Sequence, residues 1–142
     1  MSDNKVDQLR SKVESLLQER GQTYQVLPDK TVLIRHGSTA VSVRCAEFGD
    51  NTVVRLLAPV ATELEDITPE LTLFLAEQNN DLIFGKFSLD TKANAVWYEY
   101  ALLGDQLDAE ELYSALAAVV LTADKYDEEV CSLTGGKRFA DV

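Results

Sequence analysis

The stretch that decides the fold is residues 31–60, which read TVLIRHGSTAVSVRCAEFGDNTVVRLLAPV. In its first two runs apolar side chains recur at every second position, as Val32 and Ile34 do, and this is the period of a half-buried β-strand. Glycine-containing turns at Gly37-Ser38 and Gly49-Asp50 separate three such runs. The stretch therefore predicts three antiparallel strands joined by tight hairpin turns.

The third run, from Thr52 to Val60, is apolar on both faces. A strand of this kind is expected where neighbouring elements or a partner cover both of its sides. Pro59 has no N–H group to donate to a strand ladder, so we expect it near the end of the strand or at an edge.

Further elements precede these strands. Tyr24 and Val26 alternate with polar residues ahead of a turn at Pro28-Asp29-Lys30, which predicts another short strand. Before it, apolar residues at spacings of three and four predict a helix over residues 3–20, which ends at Gly21. These apolar residues are Val6, Leu9, Val13, Leu16 and Leu17.

The second half of the chain predicts two helices and a hairpin. One helix begins at Thr68-Pro69-Glu70 and ends at Asn79-Asn80-Asp81. The last helix begins at Asp108, which with Glu111 forms an acidic variant of the capping box, and continues to about Glu128 or beyond. Between the helices, a hairpin is predicted by the alternating apolar residues Ile83, Phe87, Leu89, Val96, Tyr98, Tyr100 and Leu102.

The resulting order is α-β-β-β(-β)-α-β-β-α. Runs of strands flanked by helices indicate the α+β class, in which helices pack on one face of a twisted antiparallel sheet. A length of 142 residues suits one domain spanning residues 1–142, and we expect a flexible tail from about residue 134.

The composition excludes several kinds of partner. The chain carries 24 acidic against 13 basic residues, a net charge of −11. Such a charge repels nucleic acid and anionic membrane surfaces, so we expect neither as a partner. The N-terminus lacks the apolar segment of a signal peptide, and the two cysteines form no disulfide or zinc pattern. We therefore expect a cytoplasmic protein.

The residues that usually carry catalysis are sparse. His36 is the single histidine and has no nucleophile motif beside it. Gly135-Gly136-Lys137 resembles the end of a phosphate-binding loop, but the upstream glycine is missing and Arg138 replaces the required Ser or Thr. No metal-binding motif occurs. We therefore expect no enzyme activity, no metal and no cofactor.

Three arginines are predicted to share one face of the sheet. With two-residue turns at both glycine sites, Arg35 pairs with Ala40 and Arg44 pairs with Arg55. A stripe of arginines in an acidic protein suggests a cradle for carboxylates of a partner or of the acidic second half of the chain itself. Alternatively, the arginines pair within the chain, with Glu47, Glu63, Glu65 or Asp66.

Aromatic and apolar residues add candidate interfaces. Trp97 faces away from Tyr98 and Tyr100, and we take it, with the three arginines, as a candidate for partner binding. The chain carries more apolar side chains than one sheet face should need: on the strand from Val53 to Val60, on the aromatic strand from Val96 to Leu102, and in a second stripe of the last helix. This surplus predicts a homodimer. The predicted dimer or apolar interface comprises Leu57, Tyr98, Tyr100, Tyr113 and Leu121.

The element order and several short motifs resemble the type III secretion chaperone-like fold, and in particular its YbjN-like branch. The resemblance covers residues 20–136 and is carried by Gly37-Ser38-Thr39-Ala40-Val41, Val54-Arg55-Leu56-Leu57-Ala58-Pro59-Val60, Leu75 to Asn80 with Phe84-Gly85-Lys86-Phe87, and Leu103-Gly104-Asp105. It implies peptide-binding or adaptor proteins that are often dimeric and have no established catalysis.

We therefore expect a non-enzymatic peptide- or protein-binding module that holds a partner segment against its sheet or in an apolar groove. The alternative is a small-molecule sensor or regulatory domain with a pocket between the sheet and the helices. An enzyme of unrecognised type is the third hypothesis, for which no converging acid, base or nucleophile is visible.

Overall fold

The computed structural model describes residues 2–139 and contains three helices and six strands in that range. The helices are α1 Ser2–Glu19, α2 Pro69–Asp81 and α3 Ala109–Thr134; the strands are β1 Gln25–Val26, β2 Val32–His36, β3 Thr39–Phe48, β4 Asn51–Ala61, β5 Lys86–Asp90 and β6 Ala95–Leu103.

The six strands form one antiparallel sheet in the order β1-β2-β3-β4-β6-β5. Both α1 and α3 pack on β3 and β4, and α2 packs against β5 and α3. The core lies between sheet and helices, where Val13, Leu56 and Leu112 are fully buried. This arrangement confirms the predicted α+β class, with helices covering one face. We call the other face of the sheet the open face.

The two glycine turns set the strand register that the sequence predicts. Gly37 and Gly49 have φ angles of +56° and +60°, values that a residue without Cβ adopts at little cost. The resulting register places Arg35 opposite Ala40. The arginine stripe therefore follows from the turn lengths.

Side-chain caps begin the second and third helices as predicted. The Thr68 hydroxyl accepts a hydrogen bond from the Leu71 amide at 3.2 Å, and the Asp108 carboxylate accepts one from the Glu111 amide at 2.8 Å. Each cap satisfies an amide that lacks a partner within its helix. The last helix continues past Glu128 to Thr134.

The predicted hairpin begins later than the apolar pattern indicates. The strand β5 starts at Lys86, and Ile83 lies before it with 85% of its surface exposed. The reason is local: the Tyr98 hydroxyl donates a hydrogen bond to the Phe84 carbonyl, and Gly85 follows with a φ of +80°. The chain therefore turns at Phe84-Gly85, and Ile83 remains outside the core.

The C-terminal segment follows the last helix and reaches the sheet. Gly135 ends α3 with a φ of +68°, and Lys137 then pairs with Thr62 just beyond β4. The flexibility expected from about residue 134 stays a prediction, and residues 140–142 lie outside the described range. We call residues 135–139 the C-terminal strap.

Candidate peptide-binding site

The open face carries a groove of about 850 Å³. Because side chains alternate across a strand, residues between the core positions of β3, β4 and β6 point away from the helices. The groove is lined by Arg44 of β3, by Arg55 and Leu57 of β4, and by Trp97 and Glu99 of β6. Trp97 and the predicted arginine pair thus line one cavity.

The basic part of the groove contains one ion pair. Arg55 donates a hydrogen bond to the Glu99 carboxylate at 2.6 Å, and Ser88 donates another. Burial opposes the ionisation of Glu99, but these hydrogen bonds and the charges of Arg55 and Lys86 outweigh it and hold the pKa of Glu99 below its ordinary value. Glu99 is therefore an ionised partner for Arg55 near neutral pH.

The other two arginines have no such partner. Among residues 5–139, no carboxylate lies within 4.0 Å of the guanidinium of Arg35 or Arg44. Pairing with Glu47, Glu63, Glu65 or Asp66, the alternative drawn from the sequence, is not observed for any of the three arginines in this range. Asp29 is near enough that, after hydrogen bonds from Thr31, the charge of Arg44 also lowers the pKa of Asp29. Arg44 thus offers an exposed guanidinium without a direct ion pair in this range.

One end of the groove is apolar and aromatic. Trp97 is half-buried and lies opposite Pro59, and Leu33 and Leu57 line the same space. The ring of Phe139 also lines it, with the Arg35 guanidinium 5.6 Å from the ring centroid. This end can accept an apolar side chain beside a cation.

A second apolar area lies on the open face beyond the arginines. Phe48 and Leu103 have exposed fractions of 62% and 64%, and Val53 lies opposite Leu103. Sequence reasoning missed Phe48, Leu103 and Phe139 as candidates. Phe48 could have been identified from the strand register, because it is four residues from Arg44 in β3 and therefore shares its face. Along the strands, the open face therefore carries an apolar area, then the arginines, then a second apolar area.

The fold places the predicted interface residues in different parts of the molecule. Tyr98 has no exposed surface and belongs to the core, where Phe87 packs against it, so its assignment to an interface is wrong. Tyr113 packs under Arg20, which follows the end of α1, with the guanidinium 4.4 Å from the Tyr113 ring centroid. Leu57 lines the groove, and Leu121 is exposed on α3.

Another exposed apolar patch lies before β5. The ring of Phe84 stacks on Tyr100, with centroids 6.0 Å apart, so Tyr100 supports the patch from beneath. Ile83 and Phe84 are exposed by 85% and 59%. We call Ile83 and Phe84 the apolar patch.

The sensor hypothesis requires a pocket between the sheet and the helices. That space is filled by core side chains such as Leu71 and Val119, and the groove lies on the opposite face of the sheet. Within the described part of the chain, no three His, Cys, Asp or Glu side chains are grouped as metal ligands would be. No helix in this part is long and apolar enough to cross a membrane.

A known protein family matches almost the whole chain. A family model described as T3SS (YopN, CesT) and YbjN peptide-binding chaperone 1 matches residues 7–142. The chain belongs to this family of peptide-binding chaperones. No curated protein matches the chain.

Solved structures show that the peptide-binding chaperone fold is shared. The HopA1-SchA chaperone-effector complex contains a chain that is 14% identical, with a TM-score of 0.58 over 89% of this chain and 92% of that one. The ExsC-ExsE complex gives 18% identity and a TM-score of 0.58, covering 84% and 94%. YbjN from E. coli gives 11% and 0.55, covering 87% and 89%.

Membership in the peptide-binding chaperone family confirms two predictions made from the sequence. The first is the resemblance to the YbjN-like branch of the type III secretion chaperone-like fold. The second is that the chain is a peptide- or protein-binding module. In the open-face groove of this chaperone, arginines lie together with the aromatic side chains of Trp97 and Phe139.

Proposed function

We propose that this chaperone binds an acidic, apolar-rich segment of a partner protein on the open face of its sheet, without catalysing a reaction. The observation that carries the proposal is the joint position of Arg44, Arg55, Leu57 and Trp97 in one groove. An exposed arginine without a direct ion pair, placed between two apolar areas, favours a ligand with carboxylates flanked by apolar side chains.

Charge complementarity supports an acidic ligand segment. The chain has a net charge of −11, and most of its surface therefore repels acidic peptides. The exposed guanidinium of Arg44 makes the groove a local exception, because no carboxylate of residues 5–139 forms a direct ion pair with it. Two of the similar solved structures are chaperone-effector or ExsC-ExsE complexes, which supports a protein as the partner.

The absence of catalysis is part of the same proposal. His36, the single histidine, is exposed at the end of β2. Cys45 is a poor nucleophile because burial raises the pKa of its thiol to about 11. We place the protein in the cytoplasm, where the ligand would be a segment of another cytoplasmic protein before it folds or is delivered.

We also propose that the chaperone is a homodimer, which forms through the apolar patch. The patch exposes Ile83 and Phe84 side by side on a rigid support, since Tyr100 stacks on Phe84 and the core residue Tyr98 holds its carbonyl. Pairing two such patches by two-fold symmetry would remove apolar surface from water on both copies. This interface differs from the one predicted from the sequence, and it leaves the groove accessible.

The proposed function is tested with a synthetic probe. The probe is a fluorescein-labelled peptide of sequence GLDFELDFEG, which alternates apolar and acidic residues as the groove requires. Fluorescence anisotropy measures its binding to the full chain. We expect the Leu57→Asp and Phe48→Asp variants to lose binding, because each places a negative charge on the open face where the probe presents its own.

The matched control is Leu121→Asp, which makes the same type of change on α3, away from the open face. We expect it to bind the probe as the unmodified chain does. Circular dichroism spectra confirm that each variant is folded. Loss of binding in Leu121→Asp with retention in Leu57→Asp would contradict the proposal, because it would place the ligand on the helical side.

A further inference from the structure

The C-terminal strap crosses the end of β4 on a path that only glycine permits. A Cβ atom on Gly136 would lie 2.9 Å from the Thr62 carbonyl oxygen and 2.8 Å from a methyl carbon of Leu64. Gly135, just before it, has a φ of +68°. The two glycines therefore let the chain leave the helical side and pass closely over the strand end.

Two backbone hydrogen bonds between Lys137 and Thr62 connect the strap to the end of β4. The Thr62 amide donates to the Lys137 carbonyl at 2.8 Å, and the Lys137 amide donates to the Thr62 carbonyl at 2.8 Å. This is an isolated bridge outside the named strands. An ion pair between Lys137 and Glu63 accompanies it, with both side chains more than half exposed, so it adds little.

Phe139 brings the strap into the groove itself. Its ring is half-buried, lines the cavity shared with Arg44 and Trp97, and lies beside the Arg35 guanidinium. Ala40, the partner of Arg35 across the strands, also lines this cavity and is only 3% exposed. An aromatic side chain of the protein itself thus occupies one end of the candidate ligand site.

We propose that the C-terminal strap is an internal competitor for the groove, and that the partner displaces it by placing its own aromatic side chain beside Arg35. The inference rests on the proposed function. It adds that the partner segment needs an aromatic residue and that the strap regulates binding. The described contacts of the strap include one isolated bridge, ion pairs of Lys137 and Arg138 with exposed glutamates, and one cation–π contact. A partner segment with several contacts can outcompete them.

The test locks the strap in place. Thr62 and Lys137 form a directly hydrogen-bonded antiparallel pair, whose Cα atoms are typically ~5.5 Å apart, a distance suited to a disulfide. In the Thr62→Cys/Lys137→Cys variant of the full chain, we expect the oxidised form to bind the GLDFELDFEG probe at least about tenfold more weakly than the reduced form. Oxidised and reduced samples of the unmodified chain, which retain Cys45 and Cys131, control for the oxidant.

A second variant weakens the strap instead. Phe139→Ala removes the competing ring, and we expect the full chain to bind the probe about fivefold more tightly, which corresponds to the loss of one cation–π contact. Replacing both phenylalanines of the probe by leucine should reduce this gain.

The outcomes separate the inference from the proposed function. If the oxidised and reduced forms of the double-cysteine variant bind equally, or if Phe139→Ala binds as well as or less well than the unmodified chain, the competition is refuted while probe binding itself stands. If no variant, locked or unlocked, binds the probe, the proposed function fails and the competition fails with it.

Discussion

Arg44 in β3 lies directly opposite Arg55 in β4, and both side chains are exposed on the open face of the sheet. Like charges in this position destabilise a strand pair unless an anion lies between or beside them. Glu99, from the neighbouring strand β6, supplies one carboxylate to Arg55. Arg44 forms no such ion pair among residues 5–139. The two arginines together can therefore bind a second carboxylate.

The first prediction concerns this arginine pair. Replacing both residues, Arg44→Gln and Arg55→Gln, should weaken probe binding by about tenfold at low salt, since each exposed charge contact contributes roughly 0.2–1 kcal/mol. The loss should become smaller at high salt because ions screen these contacts. Titrations by fluorescence anisotropy at two salt concentrations measure the effect.

The control for the arginine prediction is Arg10→Gln with Lys12→Gln, which removes the same charge from α1. If this control weakens binding as much as the groove variant does, net charge rather than the arginine pair attracts the probe.

The second prediction is a pH dependence of stability through Glu99. The pKa of Glu99 is lower in the folded protein than its ordinary value of 4.5. The stabilisation from ionised Glu99 is therefore complete above that value and is lost as the pH falls through the folded-state pKa. We expect Glu99→Gln to be less stable than the unmodified chain by about 1 kcal/mol at pH 7.

Urea unfolding between pH 7 and pH 3 measures this difference, which should shrink below pH 4.5. Glu77→Gln, a change at an exposed glutamate of α2, should show no comparable trend. A constant difference across the range would mean that the ionisation of Glu99 is not the source of the stabilisation.

The third prediction concerns the turn before β5. A Cβ atom on Gly85 would lie 2.6 Å from the Tyr98 hydroxyl and 2.7 Å from the Glu99 carbonyl oxygen. Gly85→Ala should therefore destabilise the fold by about 2–4 kcal/mol, through both the positive φ and the overlap. Thermal and urea unfolding measure the loss.

Gly49→Ala is a matched control for Gly85→Ala. Gly49 also has a positive φ, but nothing lies within 4 Å of its added Cβ. We expect a cost of only about 1–2 kcal/mol from the backbone conformation alone. Equal losses in the two variants would show that the contact with Tyr98 does not matter.

The fourth prediction is the dimer. Light scattering at micromolar concentration should give about twice the chain mass of 15.7 kDa, and Ile83→Asp should reduce it to 15.7 kDa. Ile83 is 85% exposed, so the substitution leaves the core unchanged. If Leu121→Asp dissociates the protein and Ile83→Asp does not, the interface lies on α3 as the sequence pattern suggested.

The sequence allowed most of the fold to be predicted because local signals agree with one another. The turn glycines Gly37 and Gly49 set the strand lengths, and a single register then aligned Arg44 with Arg55. The helix starts at Thr68 and Asp108 were readable because a capping side chain acts on an amide only three residues away. Each of these features depends on neighbours in the sequence.

What could not be predicted depends on distant contacts. Alternation alone cannot show whether Tyr98 lies in the core or at an interface, because both environments select the same aromatic residue. Phe139 was missed for a related reason: its place in the groove results from the bridge between Lys137 and Thr62, which are 75 residues apart. The exposure of Ile83 follows in turn from the hydrogen bond of Tyr98 to Phe84.

Because of the position of Trp97, the intrinsic fluorescence of the protein reports on the groove. It is the single tryptophan of the chain, and its indole is half-buried in the groove, within the same cavity as Phe139 and Arg55. Selective excitation of tryptophan therefore samples this site and no other part of the molecule. Any partner that fills the groove, or any movement of the strap out of it, changes the solvent around one emitting group, so unlabelled partner segments that lack tryptophan can be ranked directly by the wavelength and intensity of its emission.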